Sequence, residues 1–205
     1  MLKLIYLANR KPGFSFDEFV RRWRMHGATG MVQPLWRHTL SYVQSEPIFP
    51  AAIAGATEAY DAIATFTVSD SLFSDMTEED VAGTRIMADD ELETFSGPIA
   101  SVSLWVNEES IKAGPLGGSS AYLFLSEVNA ARATAEQAKD ASNLIRVTQN
   151  TADEAMGDGN TLPYRAIIEL SAASIPDLSD AVSHLVPAAD LTVVTRNAVL
   201  WDRLD

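Results

Sequence analysis

Gly114-Pro115-Leu116-Gly117-Gly118-Ser119-Ser120 is the stretch that decides how this 205-residue chain is divided. Glycine, proline and serine punctuate a chain rather than continue a periodic pattern, so these residues read as a linker. Working outward from it, the same order of elements appears on both sides. Upstream, apolar and alternating runs predict strands over 2–8, 39–45, 60–68 and 99–106, with a helix from Ser15 and a short helix over 69–76. Downstream they predict strands over 122–128, 144–149, 164–170 and 191–201, with helices over 130–141 and 177–185 and a loop over 156–160. Strand, helix, strand, strand, helix, strand is the ferredoxin-like order, and here it occurs twice.

Residues repeat as well as elements. Tyr60-Asp61-Ala62-Ile63 returns as Tyr164-Arg165-Ala166-Ile167, an offset of 104, and Gln44 returns as Gln149, an offset of 105. The short helices open at Asp70 and Asp177, 107 apart. A single unit of this kind packs both helices on one sheet face and leaves the other bare. A second copy can cover that face. The expected architecture is therefore α+β: two ferredoxin-like βαββαβ repeats, over 1–112 and 121–205 with a linker over 113–120, closing into one barrel within the chain.

The first helix carries the clearest local signal. Ser15 and Glu18 have the spacing of a capping box, Phe14 and Phe19 that of a hydrophobic staple, and Asp17 and Glu18 put negative charge where the helix dipole favours it. Phe16, Phe19, Val20 and Trp23 then form one apolar face, and Gly27 and Gly30 are expected to weaken the helix beyond His26. Residues 77–95 are charged and helix-compatible, and read as a solvated arm or lid.

Composition narrows the function. Twenty-eight acidic against 15 basic residues give a net charge of −13, which repels nucleic-acid phosphates and anionic lipid. No cysteine is present, so disulfides, thiolate metal sites and a cysteine nucleophile are excluded. No apolar run reaches the ~20 residues needed to span a bilayer, and the start of the chain lacks the form of a signal peptide. A cytoplasmic protein with neither a nucleic-acid nor a membrane partner is expected; a homodimer of the two-repeat chain remains open.

Lys3-Leu4-Ile5-Tyr6-Leu7, Arg10-Lys11-Pro12-Gly13, the helix from Ser15 to His26, Leu40-Ser41-Tyr42-Val43-Gln44 and Tyr60-Asp61-Ala62-Ile63-Ala64 together resemble the EthD-like family, a branch of the dimeric α/β barrel proteins. Asp90-Glu91 followed by Phe95 resembles that family's later segment. The resemblance covers nearly all of residues 1–110 and implies a small barrel with an apolar pocket. It also implies a role in ether degradation, or cofactor-free dehydration, cyclisation or decarboxylation of aromatic compounds. Nothing in the second half matches the Trp23–His26 segment; the corresponding helix offers Ala135, Glu136, Gln137 and Lys139. Chemistry is therefore expected on the first half, with the second as structural cover.

His26, three residues beyond Trp23 at the margin of the buried helix face, is the first catalytic candidate, because a neutral imidazole there can act as base or acid. Its plain alternative is a helix-end histidine bonded to a carbonyl. His38 opens the second strand and shares a face with Leu40, Tyr42 and Gln44, a row expected to face the barrel interior unless His38 sits at an exposed strand end. Asp61 either orients a histidine or pairs with an arginine. Tyr6, Trp23, Trp36, Tyr42, Tyr60 and Trp105 are candidate substrate-contacting walls, or plain core. No metal is expected, since no histidine pair has zinc spacing and the acidic runs Glu78-Glu79-Asp80 and Asp89-Asp90-Glu91 lack the EF-hand pattern and read as solvated faces. No cofactor is expected either; haem, bound through histidine in some barrel relatives, ranks behind. The leading expectation is a cofactor-independent enzyme that moves a proton on a small apolar or aromatic metabolite. The alternatives are a binding module for such a molecule and an EthD-type oxidoreductase accessory protein.

Overall fold

The computed structural model describes residues 1–204. The first half contains β1 (Leu2–Ala8), α1 (Phe16–Met31), β2 (Thr39–Pro47), β3 (Ala62–Val68), α2 (Ser71–Ser74), α3 (Glu78–Leu92) and β4 (Ser103–Lys112). The second contains β5 (Ser119–Leu125), α4 (Val128–Ala138), β6 (Leu144–Ala152), β7 (Ala166–Ala172), α5 (Ile175–Val182) and β8 (Leu191–Asp202). All eight strands form one closed barrel in the order β1-β3-β2-β8-β5-β7-β6-β4, with β4 returning to β1. Every pairing is antiparallel. Closure leaves no free sheet edge. The two halves meet along β2–β8 and β4–β6. Among the described residues no helix is long and apolar enough to cross a membrane.

The period-two alternation of the strands sorts side chains into three cores. Ile5, Leu7, Ile63, Leu104 and Val106 meet Tyr122, Phe124, Ile167 and Val193 inside the barrel. Tyr6, Ala8, Tyr42, Ala62 and Ala64 face outward and pack under α1 against Phe19 and Trp23. On the far side, Ala121, Leu123, Ile168 and Leu170 pack under α4 and α5 against Ala131, Ala135, Ala138, Leu178 and Val182. The alanine face of α4 has no bulk to hold it off the sheet, so that layer closes tightly.

The barrel interior is not wholly apolar. Lys3 reaches Glu108 at 2.7 Å and Glu169 at 2.9 Å, while Arg146 reaches Glu108 at 2.7 Å and Glu169 at 3.2 Å. Each half supplies one cation and one anion; Arg146–Glu108 crosses the β4–β6 seam, and Lys3–Glu169 spans the barrel interior from β1 to β7. Burial pushes the Glu108 carboxyl up, but Lys3 and Arg146 outweigh it and hold the group below its ordinary value.

Several sequence expectations change in detail. The Ser15–Glu18 capping box is present: the Glu18 N–H donates to Ser15 Oγ and the Ser15 N–H to Glu18 Oε2. The helix does not weaken at Gly27, however; it runs to Met31, and both glycines are buried where neighbours crowd it. Residues 99–101 form a 3-10 turn, so the fourth strand starts at Ser103. The predicted linker is shorter than expected, because Ser119 and Ser120 already pair in β5. Gly118 earns its identity there: its φ is +67°, and a Cβ would lie 2.3 Å from the Ala172 carbonyl oxygen.

Candidate functional site

Between the first-half sheet and helices α1 and α3 lies a cavity of ≈ 330 Å³. Its floor is Leu4 and Tyr6 of β1, Tyr42 of β2 and Phe66 and Val68 of β3; its walls are His26, Gly27 and Gly30 of α1, Trp36, and Met87 and Glu91 of α3. Tyr42 stacks on Phe66 with ring centroids 4.1 Å apart, and Trp36 meets both edge-on. Beneath this aromatic layer, Trp23 Nε1–H donates to the Tyr6 hydroxyl at 2.7 Å. The Tyr42 hydroxyl accepts from Gln44, whose amide also donates to the Trp23 carbonyl. Burial raises both phenols, Tyr6 well above its ordinary value and Tyr42 to about 12, so both stay protonated.

His26 is buried on α1, and its Nδ1 lies 2.7 Å from Asp90 Oδ2. Asp90 also takes Arg22 at 2.5 Å. Burial alone would raise the Asp90 carboxyl; Arg22 and then His26 outweigh it, and the group is held low and ionised. An ionised acceptor fixes the proton of a neutral imidazole on Nδ1 and leaves the lone pair on Nε2. Burial pushes His26 below its ordinary value, against the opposing pull of Asp90. The histidine is therefore a neutral, oriented base on the wall of a mostly apolar cavity, with Phe95 edge-on to its ring.

The other candidates separate. Tyr6, Trp36, Tyr42 and Trp105 line the same cavity as His26. Trp23 does not line it, but supports Tyr6 from below. Tyr60 packs against the barrel-interior core instead. Asp61 does not approach His26: it accepts from the Arg10 N–H and lies 3.7 Å from the Arg10 guanidinium, so its arginine alternative describes it. His38 ends the 3-10 turn Pro34–His38 before the strand begins, and is buried rather than exposed. Its Nδ1 meets Ser71 Oγ at 2.7 Å, and among the described residues its buried Nε2 has no partner.

The row containing Tyr42 and Gln44 faces the helix layer rather than the barrel interior, where Ser45 meets Tyr122 instead. An irregularity between Thr39 and Ser41 also breaks the row, since it puts Thr39 on the same side as Tyr42, opposite Val68 and Phe66. The acidic runs also need correcting as solvated faces. Asp80 is fully buried, caps α3 with Thr77 and pairs with Arg37, which holds its carboxyl well below the usual range. Asp90 orients His26, and Glu91 lines the cavity. The available signal was the face of α3: Gly83, Met87, Asp90 and Glu91 recur at i, i+4, i+7 and i+8.

Among the described residues no group of three or more His, Cys, Asp or Glu side chains could hold a metal ion. The cavity suits haem poorly. His26 is its only histidine, and no arginine or lysine lines it to receive propionates.

No family model matches the chain, and neither does any curated protein. Solved structures do match. A protein described as "Putative Chlorite dismutase TA0507" aligns at a TM-score of 0.58 and 8% identity, over 96% of this chain and 94% of that one. An anthrone oxidase-like protein aligns at 0.54 and 8%, over 99% and 94%. A "putative monooxygenase" from Lactobacillus acidophilus aligns at 0.50 and 12%, over 98% and 95%. At such identities the likeness concerns the fold alone, and it spans both halves of each chain: the architecture is an α+β barrel of the dimeric α/β barrel type.

Proposed function

We propose that this chain is a cofactor-independent enzyme acting on a small apolar or aromatic metabolite, with His26 moving a proton in a dehydration, cyclisation, isomerisation or decarboxylation. The observation that carries the reading is the Asp90-oriented, neutral His26 on the wall of an otherwise largely apolar, aromatic cavity. Ligand sites are typically apolar pockets with a few fixed polar groups, and a titratable group perturbed by burial and a specific partner is the usual mark of acid–base chemistry. An engineered cavity of about 150 Å³ takes benzene; one of ≈ 330 Å³ suits roughly two fused rings.

The same reading makes the chain two diverged ferredoxin-like copies, an EthD-like unit over 1–112 and a degenerate one over 121–205. Support comes from the identical strand orders β4-β1-β3-β2 and β8-β5-β7-β6. The first helix layer keeps a cavity; the second is packed with the alanines of α4.

A thermal-shift panel of one- to three-ring aromatic compounds, run on the wild type and His26→Ala, tests the proposal. Stabilising compounds are then assayed for turnover. The enzyme reading predicts turnover that disappears in His26→Ala. Equal turnover in both proteins refutes it. Binding without turnover in either would favour the alternative of a non-catalytic binding module, which the apolar lining also supports. The oxidoreductase accessory reading draws on the monooxygenase and oxidase-like names of the structural neighbours, and oxygen consumption with the bound compounds discriminates it.

A further inference from the structure

The cavity holds a carboxyl that the His26–Asp90 pair does not account for. Glu91 sits in the last turn of α3, next to Asp90, and lines the same cavity as His26. The Ile99 N–H donates to its Oε2 at 3.0 Å, which fixes the carboxyl; among the described residues Oε1 makes no hydrogen bond and no cation pairs with the group. The charged and titratable groups around it are Asp90 on its own helix, Tyr6 on β1, and His26 and Arg22 on α1. The last two are both turned to Asp90.

An unpaired carboxyl half-buried in an apolar cavity is favoured as the neutral acid, a donor, just as the buried imidazole is favoured as the neutral base, an acceptor. Burial, then the neighbouring Asp90 charge, raises Glu91, while burial lowers His26. We infer that Glu91 is the general acid paired with His26, and that the cavity takes a two-ring ketone with an acidic C–H beside its carbonyl. The inference rests on the proton-transfer reading of His26 and names its substrate class.

The step balances without an oxidant. His26 Nε2 takes the α-proton, and the C–H electron pair becomes a carbon–carbon double bond. The carbonyl π pair moves to oxygen, which takes the Glu91 proton. The products are an enol, an imidazolium and a carboxylate; reversal restores all three groups and, in D₂O, returns a deuteron to carbon.

The probe is 2-tetralone, a two-ring ketone, with loss of its C1 proton signals in D₂O followed by NMR for wild type, Glu91→Gln and His26→Gln. Gln at position 91 can still accept from Ile99, so binding should stay within about twofold while exchange slows by roughly 10²-fold, the usual size of a general-acid contribution. His26→Gln should lose exchange as well. The wild-type rate should fall on both sides of an optimum, because the imidazole must be free and the carboxyl protonated. In the ligand-free protein, ¹³C-labelled glutamate should show one carboxyl that titrates above the ordinary range and is absent from Glu91→Gln.

Exchange by Glu91→Gln within twofold of wild type would overturn the role of Glu91 and leave that of His26 standing. Wild-type-like exchange in His26→Gln, or no acceleration by the wild type, would overturn both. Failure of 2-tetralone to bind would overturn the substrate class, and an ordinary titration of Glu91 would overturn the acid.

Discussion

Gly27 and Gly30 lie one turn apart on α1, and alanine should stabilise the protein at position 30 but not at position 27. Alanine in a helix interior is favoured over glycine by about 1 kcal/mol, so propensity alone predicts that both variants gain. The surroundings decide otherwise. At position 30 a Cβ would meet Met87 Cε at 3.4 Å and Trp36 Cζ3 at 3.5 Å, ordinary contacts with one flexible neighbour. At position 27 it would stand 3.0 Å from Tyr42 Cε1, 3.1 Å from Gln44 Nε2 and 3.3 Å from Leu200 Cδ1. Tyr42 is pinned by its stack on Phe66, and Gln44 by its bonds to Tyr42 and the Trp23 carbonyl, so neither can give freely. Overpacking of this kind costs about 1–3 kcal/mol. Gly30→Ala should therefore gain about 1 kcal/mol, and Gly27→Ala should range from neutral to about 2 kcal/mol less stable. At roughly 2–4 °C per kcal/mol for a chain of this size, calorimetry resolves the two easily. Gly30→Ala should also weaken aromatic ligands, since its methyl enters the cavity. An equal gain in both variants would refute the claim that Gly27 marks a close approach.

The charged ring inside the barrel gives a second test. Lys3→Met leaves Glu108 and Glu169 sharing Arg146, and should cost about 3 kcal/mol, the low end for a broken buried pair because one cation remains. Adding Glu169→Met restores charge balance and should recover much of that loss in urea unfolding; an additive double variant would contradict the ring. A third concerns pH. Burial lowers His26 below its ordinary 6.5, so between the folded value and 6.5 the unfolded chain binds more protons and stability rises with pH. His26→Gln should flatten the midpoint-against-pH curve in that window and leave it unchanged above about pH 7.5; an identical slope would show that His26 titrates normally.

The features legible in the sequence are local or periodic. The Ser15–Glu18 box and the alternation that separates Ile5 and Leu7 from Tyr6 depend on neighbours a few residues apart. The matching order of elements on the two sides of Gly114–Ser120 could be counted directly. The partners that define the site could not. Asp90 lies 64 residues from His26, and only its place on the Gly83, Met87 and Glu91 face of α3 sets it apart from Asp89; nothing in the sequence names His26 as its partner. His38 does not share the Tyr42–Gln44 face because a 3-10 turn and an irregular register separate them, and alternation alone does not tell which face of that row meets the helices. Lys3 and Glu169 did carry a signal, each a charge inside an apolar strand, but only closure of the barrel makes them partners. Asp80 and Glu91 looked solvated because α3 is mostly exposed, although its inward face closes the cavity.

The central claim is that one half of the barrel holds the site and the other half closes tightly. Amide chemical-shift mapping with 2-naphthol tests it without assuming a reaction. The account predicts shifts confined to the cavity lining on α1, α3, the Pro34–His38 turn, Leu72, Ile99 and the outward-facing residues of β1 to β4, with the largest at Gly27, Gly30 and Glu91. Shifts centred on α4 and α5, or on residues 154–165 at the barrel mouth, would contradict it.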